Sequence, residues 1–301
     1  MKGKMKKILF LLLFASAISA QSAGNAGLSF LKFGFGARNV ALSDLGVIAV
    51  DDLTALNYNP SLLAIDSKTQ LSFTHNSLLS DLNSEMFAGS FSILGIPIAA
   101  GINTTNITGI EVRSNPGEAE SEFSAHYFAG SLSTAFEPVN NFYVGVTFKY
   151  LHENLFSDNA GGYGVDLGAS YLTPFNGLSF GASVRNIGSM NELREEPTKL
   201  PTDLRVGASY EYSLINSRLD FTFLTGFQKY TLQDDSHLHF GGEAVYDNLI
   251  AIRIGYAGGY DSRSVSAGFG LHWKGINLDY AYVPVKFGLG DSHIISFTYT
   301  F

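Results

Sequence analysis

From Lys68 to the carboxyl terminus, apolar or aromatic residues recur at every second position through fourteen segments, mostly ten to thirteen residues long. A period of two places them on one face of a strand. Residues 141–151 set Phe142, Val144, Val146, Phe148 and Tyr150 against Tyr143, Gly145, Thr147 and Lys149. Residues 249–256 set Ile250, Ile252, Ile254 and Tyr256 against Ala251, Arg253 and Gly255, and the last segment closes on Ile295, Phe297, Tyr299 and Phe301. One face is greasy and the other small and polar.

The connections turn this pattern into a topology. Tight turns fall near 95–97, 139–141, Asn176-Gly177, 215–217, Asp247-Asn248 and Lys274-Gly275. Looser polar loops alternate with them at 105–121, 154–160, 188–201, 230–235, 258–262 and 287–291. Short turns on one side and long loops on the other, with an even strand number, are the pattern of a transmembrane barrel. A secreted sandwich is the competing fold, but its strands average about five or six residues, whereas a membrane strand needs about 9–11. The expected fold is all-β: a fourteen-stranded antiparallel transmembrane β-barrel. Charge parity agrees, because a cation on the lipid face at mid-bilayer costs about 2–4 kcal/mol. Lys149, Arg185, Arg205 and Arg253 all sit on the polar parity. Alternation is weakest in 122–136, where Tyr127-Phe128 predicts a bulge.

The amino terminus explains how such a chain reaches an outer membrane. Lys2, Lys4, Lys6 and Lys7 precede an apolar run over 8–14 and a small-residue stretch ending at Ala20. This reads as a cleaved signal peptide over 1–20. Its removal takes away four cations and no acid, so the exported chain is more acidic than the formal charge of −8, and nucleic acid is excluded as a partner. No cysteine is present, so there is no disulfide framework and no thiolate metal site, and 24 Phe, 15 Tyr and 32 Gly suit a lipid-facing barrel. The expected location is the bacterial outer membrane, with its lipid as the first partner.

Fourteen strands enclose a lumen wider than side chains can fill. Residues 21–67 precede the first strand on the short-turn side and predict a short helical hatch inside the barrel of 68–301. Ala37, Val40, Ala41 and Leu45 recur at helical spacing and predict two helical turns. Asp51 and Asp52 stand where a carboxylate caps a helix start, and Asn59-Pro60 places a capping side chain before a residue suited to the first helical position. Buried hatch charges need partners. Lumen-facing Arg185, Arg205 and Arg253 can meet Asp51 and Asp52, and Glu211, Glu243 or Asp279 can meet Arg38. Gly34, Gly36 and Gly46 would permit a hinge.

Chemistry is sparsely signalled. His237, His239 and Glu243 share one parity, but a third close ligand is not specified, so no metal and no cofactor are expected. There is no Gly-x-Ser-x-Gly or comparable nucleophile motif, so no enzyme activity is expected. Gly161-Gly162-Tyr163-Gly164 lacks a following helix and reads as strand glycine beside a crowded lumen.

The stretch GARNVALSDLGVIAVDDLTALNYNPSLLA, residues 36–64, resembles the amino-terminal signature of the PorV/PorQ family, within the wider FadL-like outer-membrane barrels. Its Gly-Ala-Arg segment, Asp51-Asp52 pair and Asn59-Pro60-Ser61 motif carry the likeness, with Leu42-Ser43 in place of the usual Met-Gly pair and Ser61 in place of Ala. The resemblance implies fourteen strands around a hatch. It implies an accessory of type IX protein secretion and surface attachment, which binds a secretion apparatus or secreted cargo. For FadL-like relatives it implies instead a transporter passing hydrophobic small molecules through a lateral opening.

Overall fold

The computed structural model describes residues 27–48, 53–78, 82–193, 196–232, 235–288 and 290–301. The signal-peptide assignment and the pair Asp51 and Asp52 lie outside the described residues. No helix among them is long and apolar enough to cross a membrane.

The strands are β1 (Gln70–Leu78), β2 (Leu82–Ile93), β3 (Ile96–Val112), β4 (Ser121–Val139), β5 (Phe142–Leu155), β6 (Asp158–Leu172), β7 (Leu178–Leu193), β8 (Glu196–Lys199) and β9 (Asp203–Leu214). There follow β10 (Leu219–Tyr230), β11 (Ser236–Tyr246), β12 (Ile250–Gly258), β13 (Val265–Trp273), β14 (Ile276–Val283) and β15 (Ser292–Thr300). Neighbours in sequence pair antiparallel, β15 closes on β1, and β7 bonds both β6 and β9. Fourteen strands thus form a closed ring, with β8 a four-residue flap on the outer part of β7.

Burial follows the two-residue period. β12 alternates exposed and buried from Ile250 to Ala257, with Ile252 and Ile254 outward and Ala251 and Arg253 inward. The outward face of every sector is apolar, which is stable only against lipid. The protein is an integral outer-membrane barrel.

The wall is uneven. β3 to β7 run 14 to 19 residues, whereas β12 to β15 have only 8 or 9, close to the membrane minimum. The excess lies at the long-loop end, where polar Thr104 and Asn106 follow outward Ile102. Two expectations are corrected here. The polar stretches 105–121 and 154–160 are mostly strand, leaving connections of only 113–120 and 156–157. Pairing of β4 runs unbroken from Ala125 to Phe136, so no bulge falls at Tyr127-Phe128; the register shifts flank that run, one opposite Phe123 and Ala125, at Ile107/Ile110 of β3 and within the expected 122–136, the other at Phe136/Val139. Tyr127 turns inward onto Phe30 while Phe128 packs outside near Tyr150, so both aromatics obey the parity.

Candidate functional site

The lumen is filled by the chain preceding β1. Gly27 N–H donates to Lys199 O at 3.0 Å, so the first described residues touch the flap β8 at the long-loop end. A 3-10 turn, Ser29–Lys32, packs Leu28, Phe30 and Leu31 against Leu151, Met190 and Leu200, with Phe30 stacked on Tyr127 at 5.3 Å. The chain descends through the helix α1 (Ala37–Ala41) and two 3-10 turns, Leu53–Asn57 and Pro60–Ala64. It leaves at the short-turn end, where Ser90 donates to Lys68 O at 2.7 Å and Phe301 N–H to Thr69 O at 3.0 Å. The predicted second helical turn after Ala41 is absent: Ser43 and Asp44 have φ of 63° and 61°, and the chain turns there.

Asn59 caps as expected. Its Oδ1 accepts from Ser61 N at 3.1 Å, and its Nδ2 donates to Val47 O at 2.8 Å, tying two hatch segments together. Pro60 follows at the first helical position, buried.

One arc of the wall is shaped to the hatch backbone. Each full strand from β5 to β13 turns a glycine inward where the hatch crosses it. A Cβ on Gly145 would lie 2.5 Å from Pro60 C, and one on Gly255 2.5 Å from Ser43 N. Gly168 faces Asn59, Gly181 and Gly207 face Val47, Gly226 faces Leu45, Gly241 faces Leu42 and Gly268 faces Ala41. Except at Gly241, where the approach is tight at 3.0 Å, these are contacts that real Cβ atoms do not make, so this arc admits the hatch because it lacks side chains there. Gly34 and Gly46 follow the same logic: a Cβ at either would strike Asp44 or Tyr58, so the folded hatch requires glycine there.

Two charged clusters fasten the hatch to this arc. In the first, Arg38 of α1 donates to both oxygens of Glu243, at 3.0 and 2.7 Å. Arg253 bridges Glu243 to Asp279, the latter at 2.5 Å. The cluster balances two cations with two acids. In the second, nearer the long-loop end, Asp203 accepts from Arg185, Arg205 and Gln228. These arginines reach the hatch through its carbonyls: Arg185 donates to Asn57 O at 2.6 Å and Arg205 to Asp44 O at 3.0 Å. The Asp44 carboxylate takes Arg263 at 2.8 Å and the Tyr58 hydroxyl at 3.1 Å. Beside them Lys149 pairs with Asp166 at 2.6 Å and donates to Asn186 at 2.9 Å. Burial opposes the charge on Asp44, yet Arg263 and Arg205 outweigh it and hold the carboxyl below its usual range. Burial, reinforced by Asp44, pushes the Tyr58 phenol well above its usual value.

Of the predicted lumen charges, Arg185, Arg205, Glu243, Arg253 and Asp279 are therefore buried and engaged. Glu211 is corrected: it has inward parity but stands exposed at the short-turn rim beside Gly177, below the hatch. Glu243 is taken by two arginines, and His239 Nδ1 lies 2.6 Å from Ser43 O, so these two are occupied in docking the hatch. Asp44, Asp203, Tyr58, Arg263 and Lys149 were not identified as docking groups from the sequence. For Asp203 and Lys149 a signal existed in their inward parity.

The other arc, β2 to β4, has mostly alanine and serine where its counterpart has glycine, and its one buried inward glycine, Gly101, meets no hatch atom within 4 Å among its nearest neighbours. Phe35, Leu53, Leu56 and Leu63 of the hatch pack on Met86, Ala88, Ala99 and Ala135 toward the short-turn end. Leu31 packs near Ala129 toward the long-loop end. Between these two apolar clusters lies a cavity of about 20 Å³ lined by Leu31, Phe35, Asn57, Met86, Gly101, Ile102, Asn103, Ala129, Ser131, Lys149 and Arg185. That is room for a water.

Known protein families and curated proteins give no match to this chain. Solved structures do share its fold. The toluene transporter TbuX of Ralstonia pickettii is 15% identical, covering 89% of this chain and 98% of its own, with a TM-score of 0.62. The toluene transporter TodX of Pseudomonas putida is 12% identical over the same shares, with a TM-score of 0.64. A Pseudomonas aeruginosa FadL homologue is 11% identical over 88% and 98%, with a TM-score of 0.54. These are FadL-like fourteen-stranded outer-membrane barrels, and at such identities the likeness is one of fold.

Proposed function

We propose that this barrel is a non-enzymatic channel for small hydrophobic molecules, which pass between the hatch and the β2–β4 wall. The observation that supports it most is the seam itself: two apolar clusters, one at each end of the lumen, meet at a cavity on the one arc where the hatch is not fitted to glycine. Apolar surface facing an internal gap favours an apolar occupant, and Lys149 and Arg185 give the gap a single cationic edge. The fold neighbours, toluene transporters and a FadL homologue, point the same way.

As folded, the seam is too narrow for such a molecule. A cavity for an aromatic ring is on the order of 150 Å³, far above the present gap. Passage therefore requires the arm around Ser29–Lys32 and Phe35 to yield, while the hatch segment on the glycine arc stays in place.

Filling the seam tests this. Ala99→Phe and Ala129→Phe should reduce toluene entry into proteoliposomes several-fold, with heat-modifiable gel migration unchanged. Unaltered entry through the folded variants would overturn the channel reading. The secretion role implied by the hatch signature predicts a different phenotype: deletion would strip proteins from the cell surface and leave hydrophobe uptake intact.

A further inference from the structure

The short-turn rim carries an apolar arc that neither the hatch nor the lumen uses. Four consecutive turns, from β2–β3 round to β9–β10, each present one large apolar tip: Leu94, Val139, Phe175 and Ile215, exposed to 98%, 67%, 75% and 86%. The next two turns carry their apolar residue at the strand base, Leu249 at 41% and Trp273 at 61% exposed, and put polar or charged residues at the tip. The β11–β12 turn is Asp247-Asn248, with Asp247 paired to Arg218 at 3.0 Å, and the β13–β14 turn is Lys274-Gly275.

Spacing limits what can cover these tips. Adjacent short turns are two strands, about 10 Å, apart along the rim. Each tip is flanked by glycine or asparagine, namely Gly95, Asn140, Asn176 and Asn216. A protein partner needs a contiguous packed patch of about 800 Å², and four isolated tips do not make one. A fluid apolar phase has no such requirement. The tips also continue the lipid-facing surface without a break, through Ile93 and Ile96 beside Leu94, and Phe136 and Phe142 beside Val139. The charged residues of this sector fit an interface: Glu137 folds back to accept from Asn141 N–H, while Glu211 and Arg218 are exposed at the rim.

We propose that these four turns are seated in the inner leaflet, so that the half of the barrel carrying the β2–β4 seam sits deeper in the membrane than the half carrying Asp247 and Lys274. This holds whether or not the seam conducts. Tips in lipid are stabilised by their apolar area and Asp247 and Lys274 by water, so the pattern fixes the tilt of the barrel.

The chain has no cysteine, so single-site labelling is clean. Leu94→Cys, Val139→Cys, Phe175→Cys and Ile215→Cys, with Asn248→Cys and Lys274→Cys as references, would each carry a nitroxide in phosphatidylethanolamine–phosphatidylglycerol proteoliposomes. The ratio of collisions with oxygen to collisions with a water-soluble nickel chelate should be several-fold higher at the four tips. Equal ratios at all six sites would overturn the proposal, placing the tips in water. Tips shielded from both quenchers would also overturn it, since only protein excludes both. Heat-modifiable migration of each variant confirms that the labelled chain is folded, independently of any transport measurement.

Discussion

The two arcs of the wall treat the same hatch differently. From β5 to β13 the wall offers glycine, and the hatch lies directly on the strands, with its backbone against Gly145, Gly181, Gly241 and Gly255, closed further by two charged clusters. From β2 to β4 the wall offers Ala88, Ala99, Gly101, Ala129 and Ser131, the contact is made by side chains, and a cavity remains. Where backbone meets backbone, as at Gly145, Gly181 and Gly255, no rotamer can move aside. Packing by leucine and phenylalanine over alanine can part and reform. One lumen thus contains an anchor and a seam, and the difference lies in the size of the inward residue on each strand.

Substitution at matched positions should separate them most strongly. Gly181→Val forces a branched side chain into the place of the Val47 carbonyl. Overpacking costs about 1–3 kcal/mol where neighbours can adjust, and here the neighbour is backbone, so the hatch should leave its seat and ion conductance should rise many-fold. Gly101→Ala meets only Ser131 Oγ, at 3.1 Å, and conductance should stay at the wild-type level. Planar-bilayer recording of the two variants decides it; equal conductance would dissolve the distinction between the arcs.

The legibility of this arrangement in the sequence divides along physical lines. The membrane-spanning parts were readable because lipid outside and a polar lumen inside give the two faces opposite chemistry, as in Ile250, Ile252 and Ile254 against Ala251, Arg253 and Gly255. Where β3 rises above the lipid this contrast ends. Asn103, Thr104, Thr105 and Asn106 are polar on both faces, and a strand there looks like a loop. In the hatch, Asn59 and Pro60 were readable because capping is local. Arg38 with Glu243 was among the pairings that parity allowed. Asp44 with Arg263 was not, since it joins a turn to a distant loop and no periodicity positions either.

The charged clusters allow a second, smaller contrast within the anchor. Removing one partner from a buried ion pair costs about 3–5 kcal/mol, because the other charge stays buried and unpaired. Asp203→Asn leaves Arg185 and Arg205 facing each other across Tyr58, in a cluster whose cations already outnumber its acids. Glu243→Gln removes an acid shared by Arg38 and Arg253, but Arg253 keeps Asp279. Both should lower the thermal midpoint of the heat-modifiable transition, Asp203→Asn more. Equal shifts would show that the second cluster carries no special share of the docking.

The smallest expected effect is that of pH, and its sign follows from Asp44. The arginines beside it depress its carboxyl in the folded protein, so the folded value lies below the unfolded one of about 3.9. A group shifted this way contributes stability that is fully present above the unfolded value and is lost as pH falls through the folded one. Hatch docking through Asp44 and Arg263 should therefore be constant from pH 9 to about pH 5 and weaken only below about pH 4. Asp44→Asn should erase that acid-side change while leaving the alkaline side unaltered. The cavity lining contains no acid: Leu31, Phe35, Met86 and Ala129 do not ionise, and Lys149 and Arg185 are already cationic, so toluene entry, normalised to hatch-retaining protein, should not follow the same acid limb. Entry and docking that fall together, along one titration, would mean that the anchor and the seam move as a single body.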